Sequence, residues 1–134
     1  AAEGVDTDVE FVSDFSREGK QAFLRTLSVL SVPTRRPEAF GLFVLEALAS
    51  GVPVVLPRHG AFVELCEQTQ GCVLTEPNDP RALADAMADL LGDERRRSEL
   101  GARGRRAVCE KFTIDRAAAE MADVFRSVAG RETT

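Results

Sequence analysis

The chain has 134 residues, of which 44% are hydrophobic and 29% charged, and its formal net charge is −5. These values are typical of one small globular domain and exclude a disordered or fibrous chain. The acidic balance argues against nucleic-acid binding, which depends on neutralising phosphates with Lys and Arg. No apolar run approaches the ~20 residues of a membrane span, and the acidic start lacks the pattern of a signal peptide.

The cysteines and the single histidine indicate a reduced protein without a metal. Cys66, Cys72 and Cys109 form no CxxC pair, and their number is odd. We therefore expect a cytoplasmic setting rather than a disulfide framework. With His59 as the only histidine, a zinc site would need thiolates from distant segments, so we predict neither a metal nor a cofactor. Cys66 and Cys72 are interpreted as small buried residues rather than nucleophiles.

Apolar runs and helical periodicity alternate along the chain. Four short apolar or β-branched runs predict strands, at 9–12, 28–33, 52–57 and 71–77. Six segments predict helices: one from Ser16, one from Leu42 that is closed by Gly51, 61–66, one opened by Pro80, a charged one ending near Lys111, and 114–129. The last helix has an apolar face made of Met121, Val124, Phe125 and Val128. The alternation predicts an α/β domain with a parallel sheet covered by helices on both faces.

Two loops follow the second and third predicted strands, at the edge where ligands bind in sheets of this class. Their sequences are "PTRRPEAFG" (33–41) and "PRHGAFVE" (57–64). Gly41 stands where the first loop becomes a helix, and a glycine there lets a ligand approach the backbone. The free amides of Leu42 and Phe43, with the positive end of the helix dipole, suit an anion such as a diphosphate. Both loops are expected to face one crevice.

Two glutamates flank this predicted anion site. Glu46 has apolar neighbours on both sides in the sequence, so we expect it to be buried in the helix. A buried carboxylate needs a partner. An Arg or backbone amides of the chain could supply it, and so could the paired hydroxyls of a ribose; the residues leave both open. Glu38 has a simpler interpretation as a favourable charge near a helix N-terminus.

The same residues resemble a known family. "PEAFGLFVLEALASGVPVV" resembles the E-x7-E segment of retaining glycosyltransferases with the GT-B fold (family 4, or group 1), and "HGAFVE" resembles the G-G-x-x-E segment that follows it. The likeness continues through "GCVLTEPNDPRALADAMADLL" to "EKFTIDRAAAEMADVF". It implies that residues 1–134 form most of a C-terminal, Rossmann-like domain that binds a nucleotide-sugar, and that the N-terminal acceptor domain is absent.

The resemblance also implies roles for individual residues. Glu38 matches the first glutamate, a catalytic position beside the hydroxyls of the donor sugar, and Glu46 matches the second, which binds the ribose. The backbone that meets the diphosphate and sugar is matched by Phe40, Gly41 and Leu42. The ends of the second motif are matched by Gly60 and Glu64.

The chain departs from the family pattern at two positions. Ala61 stands where the second glycine is usual, and Ser13 stands where a glycine is common after the first strand. The family's diphosphate-binding Arg and Lys are expected upstream of this sequence, and Arg35 and Arg36 are interpreted as solvated.

The resemblance implies transfer of a sugar from a nucleotide-sugar to an unknown acceptor, with retention and without a metal. We expect the fragment alone to be inactive and, because its sheet edge would be exposed, to self-associate. The alternative is a non-catalytic α/β binding or interaction module.

Overall fold

The computed structural model of the chain describes residues 8–13 and 16–130. Within these residues the chain forms three parallel strands in the order β1-β2-β3 and six helices. The strands are β1 (Leu30–Ser31), β2 (Val54–Pro57) and β3 (Cys72–Thr75). The helices are α1 (Arg17–Thr26), α2 (Leu42–Ala49), α3 (Ala61–Thr69), α4 (Pro80–Gly92), α5 (Glu94–Lys111) and α6 (Ile114–Ala129).

The central strand β2 explains why both faces of the sheet are covered. All four of its residues are buried, and it pairs with β1 through Leu30 opposite Val54 and with β3 through Val54 opposite Cys72. Alternate side chains of a strand point to opposite faces. Val54 and Leu56 pack against α2, α3 and α5, whereas Val55 packs with residues of α4 and α5. The predicted α/β class, with a parallel sheet between helices, is confirmed.

Short-range signals set most helix ends where the sequence predicts them. The carboxylate of Asp79 accepts hydrogen bonds from the amides of Arg81 and Ala82, and Pro80 follows as the first residue of α4. After α2 the chain turns at Gly51, whose φ is +80°. The third helix is longer than predicted, because it continues past Cys66 to Thr69.

The predicted strand at 9–12 is wrong. Val9, Phe11 and Val12 are exposed, and none of them belongs to a strand. A β-branched run becomes a strand only when another strand pairs with it, and β1 pairs only with β2 among the described residues. The predicted strand at 28–33 is correct in position but shortens to two residues, Leu30–Ser31.

Helix α6 has the predicted bounds, and its apolar face is exposed in the described part of the chain. None of its residues is buried. Ile114 and Phe125 are 87% and 67% exposed, and Met121, Val124 and Val128 are also exposed.

None of the described helices is both long enough and apolar enough to cross a membrane.

Candidate functional site

The loop after β1 and the turn before α3 are in direct backbone contact. The amide of Ala61 donates a hydrogen bond to the carbonyl oxygen of Glu38 at 2.9 Å. Gly60 has φ +55° and ψ −149°, a conformation that side chains rarely adopt. A Cβ at this position would lie 2.5 Å from the carbonyl oxygen of Glu38 and 2.7 Å from its nitrogen. The two motifs therefore form one unit, and Gly60 is the residue that allows it.

His59 adds a second link between these loops, which the sequence did not predict. Its Nε2 lies 3.0 Å from the carbonyl oxygen of Thr34, and its ring stacks on Phe62 with the centroids 5.9 Å apart. Its Nδ1 is buried without a hydrogen-bond partner in the described chain. A lone histidine in a sequence gives no sign of such a contact, because Thr34 is 25 residues away.

The carboxylate of Glu38 is folded back onto its own loop. Its Oε1 accepts hydrogen bonds from the amides of Ala39 at 3.0 Å and Phe40 at 3.2 Å. The Phe40 amide, which the resemblance assigns to the diphosphate, is thus occupied by Glu38 in this structure. The side chains of Phe40 and Leu42 are exposed, at 57% and 59%.

The start of α2 presents unpaired backbone amides. Gly41 has φ +83°, and no side chain caps the helix. The first amide paired within α2 is that of Val44, which donates to the carbonyl oxygen of Gly41 at 2.9 Å. The amides of Leu42 and Phe43 consequently have no partner in the part of the chain that the structure describes. Unpaired amides at a helix start can bind an anion, and the sequence predicts such a site at this position.

Glu46 is not buried, and the prediction that it would be is wrong. Its side chain is 31% exposed and accepts a hydrogen bond from Nζ of Lys20 at 2.5 Å. The buried side of α2 consists of Val44, Leu45, Ala47 and Leu48, so Glu46 projects beside it toward α1. The partner in the structure is therefore a lysine 26 residues away, and not the Arg or the backbone amides that the sequence suggested as partners within the chain.

Glu46 and Lys20 together stand between two cavities of different character. One measures about 710 Å³, and its charged lining consists of four cations and Glu46. The cations are Arg17, Lys20, Arg25 and Arg105. The other cavity measures about 360 Å³ and is mainly apolar. Its apolar lining includes Phe11, Val12, Phe23, Leu24, Val32 and Phe43. The predicted ribose-binding carboxylate thus lines an apolar cavity, with the cation of Lys20 beside it.

The remaining predicted residue, Glu64, lies on α3, whereas Glu46 lies on α2. It is exposed on the first turn of α3, and its Oε1 accepts a hydrogen bond from Gln68 at 3.0 Å. A further cavity of about 500 Å³ lies at the carboxyl ends of the strands, where it is lined in part by Thr34, Pro57 and Thr75.

The described residues contain no cluster of three or more His, Cys, Asp or Glu suited to hold a metal.

Comparison with known proteins identifies the family. The model of the family "Glycosyl transferases group 1" matches residues 1–107. The chain is 39% identical over 107 residues to a D-inositol 3-phosphate glycosyltransferase of Xylanimonas cellulosilytica, a match that covers 80% of this chain and 25% of that relative. The chain belongs to the group 1 glycosyltransferases, and it spans about a quarter of the length of this curated relative.

Solved structures agree with this assignment. The sucrose-phosphate synthase of Thermosynechococcus elongatus superposes with a TM-score of 0.84 at 28% identity, over 95% of this chain and 32% of that chain. The C-terminal domain of a group 1 glycosyl transferase from Francisella tularensis superposes with a TM-score of 0.65 at 27% identity, over 79% of this chain and 53% of that chain. The chain therefore has the fold of the C-terminal domain of the Francisella tularensis enzyme and of part of the sucrose-phosphate synthase.

Proposed function

We propose that this chain is the donor-binding domain of a retaining glycosyltransferase and that its parent protein transfers a sugar from a nucleotide-sugar to an acceptor. The observation that carries the proposal is the pair of unpaired amides at the start of α2, which lies between Glu38 and Glu46. The similarity to enzymes named as a D-inositol 3-phosphate glycosyltransferase and a sucrose-phosphate synthase supports the same class of reaction.

In this proposal the amides of Leu42 and Phe43 bind the diphosphate of the donor. The positive end of the α2 dipole stabilises the negative charge that grows on the diphosphate as it leaves. Gly41 keeps this helix start open, because it has no side chain to cover the amides. A Cβ at Gly41 would also lie 3.1 Å from Cδ1 of Leu65, so a larger residue at this position would crowd the Leu65 side chain.

Glu46 is the proposed ligand of the ribose hydroxyls. An ionised carboxylate has oxygen atoms enough to accept hydrogen bonds from two hydroxyls while it remains paired with one cation. Lys20 holds the carboxylate toward α1, at the boundary of the apolar cavity lined by Phe11 and Val12. We place the nucleoside base in that cavity, since its apolar lining suits a flat ring.

Glu38 is the proposed contact to the donor sugar. It lies in the loop directly before α2 and so precedes the unpaired amides in the sequence, whereas Glu46 follows them. Donor binding would turn its carboxylate away from the amides of Ala39 and Phe40 and toward the sugar hydroxyls. The amide of Phe40 would then be free to join the diphosphate site together with Gly41. Gly60 supports this arrangement by allowing the close contact with the backbone of Glu38.

The acceptor is proposed to bind mainly outside this chain. The curated relative from Xylanimonas cellulosilytica is about four times as long as the matched region. We therefore expect this chain alone to bind donor without transferring sugar. The alternative function, a non-catalytic α/β module, predicts no specific response to nucleotides.

Calorimetric titration of the chain with UDP, GDP and ADP tests the proposal. We expect saturable binding of at least one of them, and Glu46→Ala should weaken it about 10- to 100-fold, because hydrogen bonds to a charged group contribute about 1.5–3 kcal/mol. Glu120→Ala is the matched control: Glu120 also pairs with a cation, Arg116, at 2.8 Å, but lies on α6. Equal affinities of the two variants would contradict the role of Glu46, and no binding of any nucleotide would favour the alternative module.

Self-association of the chain is also proposed. We expect the chain to self-associate through apolar surface such as the exposed face of α6, which includes Met121 and Phe125. Sedimentation that shows only monomers at high concentration would contradict this expectation.

We also propose a cytoplasmic location for the protein, since an odd number of cysteines suits a reducing compartment.

A further inference from the structure

Three helices line a groove whose charged side chains are mostly cations. This is the cavity of about 710 Å³ described above, and we call it the basic groove. Helix α1 contributes Arg17, Lys20 and Arg25 to it, and α5 contributes Arg105. Helix α2 contributes Glu46, which is the one carboxylate in the lining among the described residues. The groove is therefore positive in a chain whose formal net charge is −5.

The sequence of α1 places its cations on the side that faces α2. Arg17, Lys20 and Arg25 are spaced so that a helix of 3.6 residues per turn carries them on one side together with Leu24. Leu24 is buried in a cluster that includes residues of α2 and of the turn after it, so this side of α1 is packed against α2. The ion pair between Lys20 and Glu46 joins the same two helices. Packing thus fixes the walls of the groove while its cations stay exposed.

Three of these cations are not used by the described part of the chain. Lys20 pairs with Glu46, but the side chains of Arg17, Arg25 and Arg105 form no ion pair with a described carboxylate. Exposed guanidinium groups keep all their donors available when no carboxylate of the chain accepts from them. The groove therefore offers three unpaired arginines to a ligand.

The arginines are also not needed to cap the end of α2, which lies in the groove. A cation can stabilise a helix end by donating to its last carbonyl oxygens. Here the carbonyl oxygen of Ala47 accepts from the amide of Val52 at 3.0 Å, and that of Leu48 accepts from the amide of Gly51 at 2.9 Å. The backbone after α2 therefore satisfies these carbonyls itself.

We propose that the basic groove binds a soluble, compact anion that carries two or more phosphate groups. A guanidinium group can donate two parallel hydrogen bonds to the oxygens of one phosphate. Four cations in one cavity suit a ligand with several negative charges, and the volume lies within the range of about 300–1,000 Å³ that is typical of small-molecule sites. The inference does not rest on the proposed sugar transfer, because Leu42 and Phe43, whose amides are assigned to the donor diphosphate, do not line this groove.

Glu46 separates this site from the donor site by experiment. Its replacement removes the carboxylate from the groove and frees Lys20 from its ion pair. Glu46→Ala should therefore strengthen the binding of tripolyphosphate, by about 2- to 5-fold, whereas it is expected to weaken the binding of a nucleoside diphosphate. Weaker binding of tripolyphosphate by Glu46→Ala would contradict the proposed groove. A missing response to nucleotides would contradict the donor site alone.

Calorimetric titration of the chain with tripolyphosphate at low ionic strength tests the proposal, because salt screens exposed charges. We expect saturable binding. Orthophosphate should bind more weakly, since one phosphate group contacts only some of the cations. The double substitution Arg25→Gln with Arg105→Gln should weaken the binding of tripolyphosphate by about 10- to 100-fold, at about 3- to 10-fold for each arginine.

The matched control removes the same two charges elsewhere. It combines Arg81→Gln on α4 with Arg106→Gln, which is the neighbour of Arg105 on α5, and neither residue lines the groove. This control should bind tripolyphosphate nearly as tightly as the parent chain. Circular dichroism checks that each variant is folded. If a double variant unfolds, Arg105→Gln is compared with Arg106→Gln, and only the first should weaken binding.

Three results would overturn the proposal. The first is the absence of saturable binding of tripolyphosphate, and the second is an equal loss of affinity in the groove variant and its control. The third is orthophosphate binding as tight as that of tripolyphosphate, which would exclude a ligand with several phosphate groups. Cosedimentation with phosphatidylglycerol vesicles tests a lipid source: vesicle binding that requires Arg25 and Arg105, without binding of tripolyphosphate, would contradict a soluble ligand.

Discussion

Replacing Gly60 with alanine should destabilise the chain strongly, because this residue joins the two motif loops. Its φ of +55° and ψ of −149° belong to a region that costs a side-chain-bearing residue about 1–3 kcal/mol. The added Cβ would also lie 2.5 and 2.7 Å from backbone atoms of Glu38, which cannot move aside as a flexible side chain could. Such overpacking costs about 1–3 kcal/mol more. The expected loss in the free energy of unfolding is therefore about 2–6 kcal/mol.

Two other glycines separate the contribution of backbone strain from that of steric contact. Gly51 has φ +80°, but a Cβ added there would have no heavy atom within 4 Å, so Gly51→Ala reports backbone strain alone and should cost about 1 kcal/mol. Gly92, the last residue of α4, has open space and no positive φ. Gly92→Ala should be neutral or slightly stabilising, by at most about 1 kcal/mol.

Urea unfolding followed by circular dichroism measures all three variants. With a slope of about 1–3 kcal/mol per molar urea, the midpoint of Gly60→Ala should fall by about 1 M or more. The midpoint of Gly51→Ala should fall less, and the midpoint of Gly92→Ala should be equal to or slightly above that of the parent chain. A Gly60→Ala midpoint no lower than that of Gly51→Ala would refute the inference that contact between Gly60 and Glu38 joins the loops.

Three further substitutions test other parts of the structure by the same unfolding assay. Phe62→Ala should cost about 3–5 kcal/mol because the ring is fully buried, and a loss below that of Gly51→Ala would be inconsistent with a packed core at this position. Asp79→Ala removes the N-terminal cap of α4 and should cost about 1 kcal/mol; an unchanged midpoint would show that the cap contributes nothing. Lys20→Met breaks the ion pair between Lys20 and Glu46. Because both side chains are partly exposed, we expect the free energy of unfolding to fall by only about 0.2–1 kcal/mol, and a larger fall would mean that the pair stabilises the fold.

Local chemistry explains why the helices were predictable from the sequence. Asp79 and Pro80 mark the start of α4 through hydrogen bonds and a fixed φ that involve only neighbouring residues. The same holds for Gly51 at the end of α2, where the chain needs a positive φ. The run at 9–12 shows the opposite case, because a strand depends on a partner strand that its own residues do not specify.

The proximity of the two candidate loops was predictable from the sequence, but the contacts of their residues were not. The rule that loops follow parallel strands to one edge placed Glu38 and Gly60 near each other, and the structure joins them by a hydrogen bond from Ala61. The environment of Glu46 was not predictable, since its apolar neighbours in sequence suggested burial. Its exposure depends on which side of α2 faces the sheet, and its partner Lys20 comes from a different helix.

The central claim is that a nucleoside diphosphate binds at the start of α2 beside Glu46. Titration of the ¹⁵N-labelled chain with the three nucleoside diphosphates at millimolar concentration, followed by amide NMR, measures this most directly because it detects weak binding residue by residue. We predict saturable shifts at the amides of Leu42 and Phe43, accompanied by shifts at Lys20 and Glu46. No shift at the start of α2 with any of the three, or shifts confined to α4 or α6, would contradict the account.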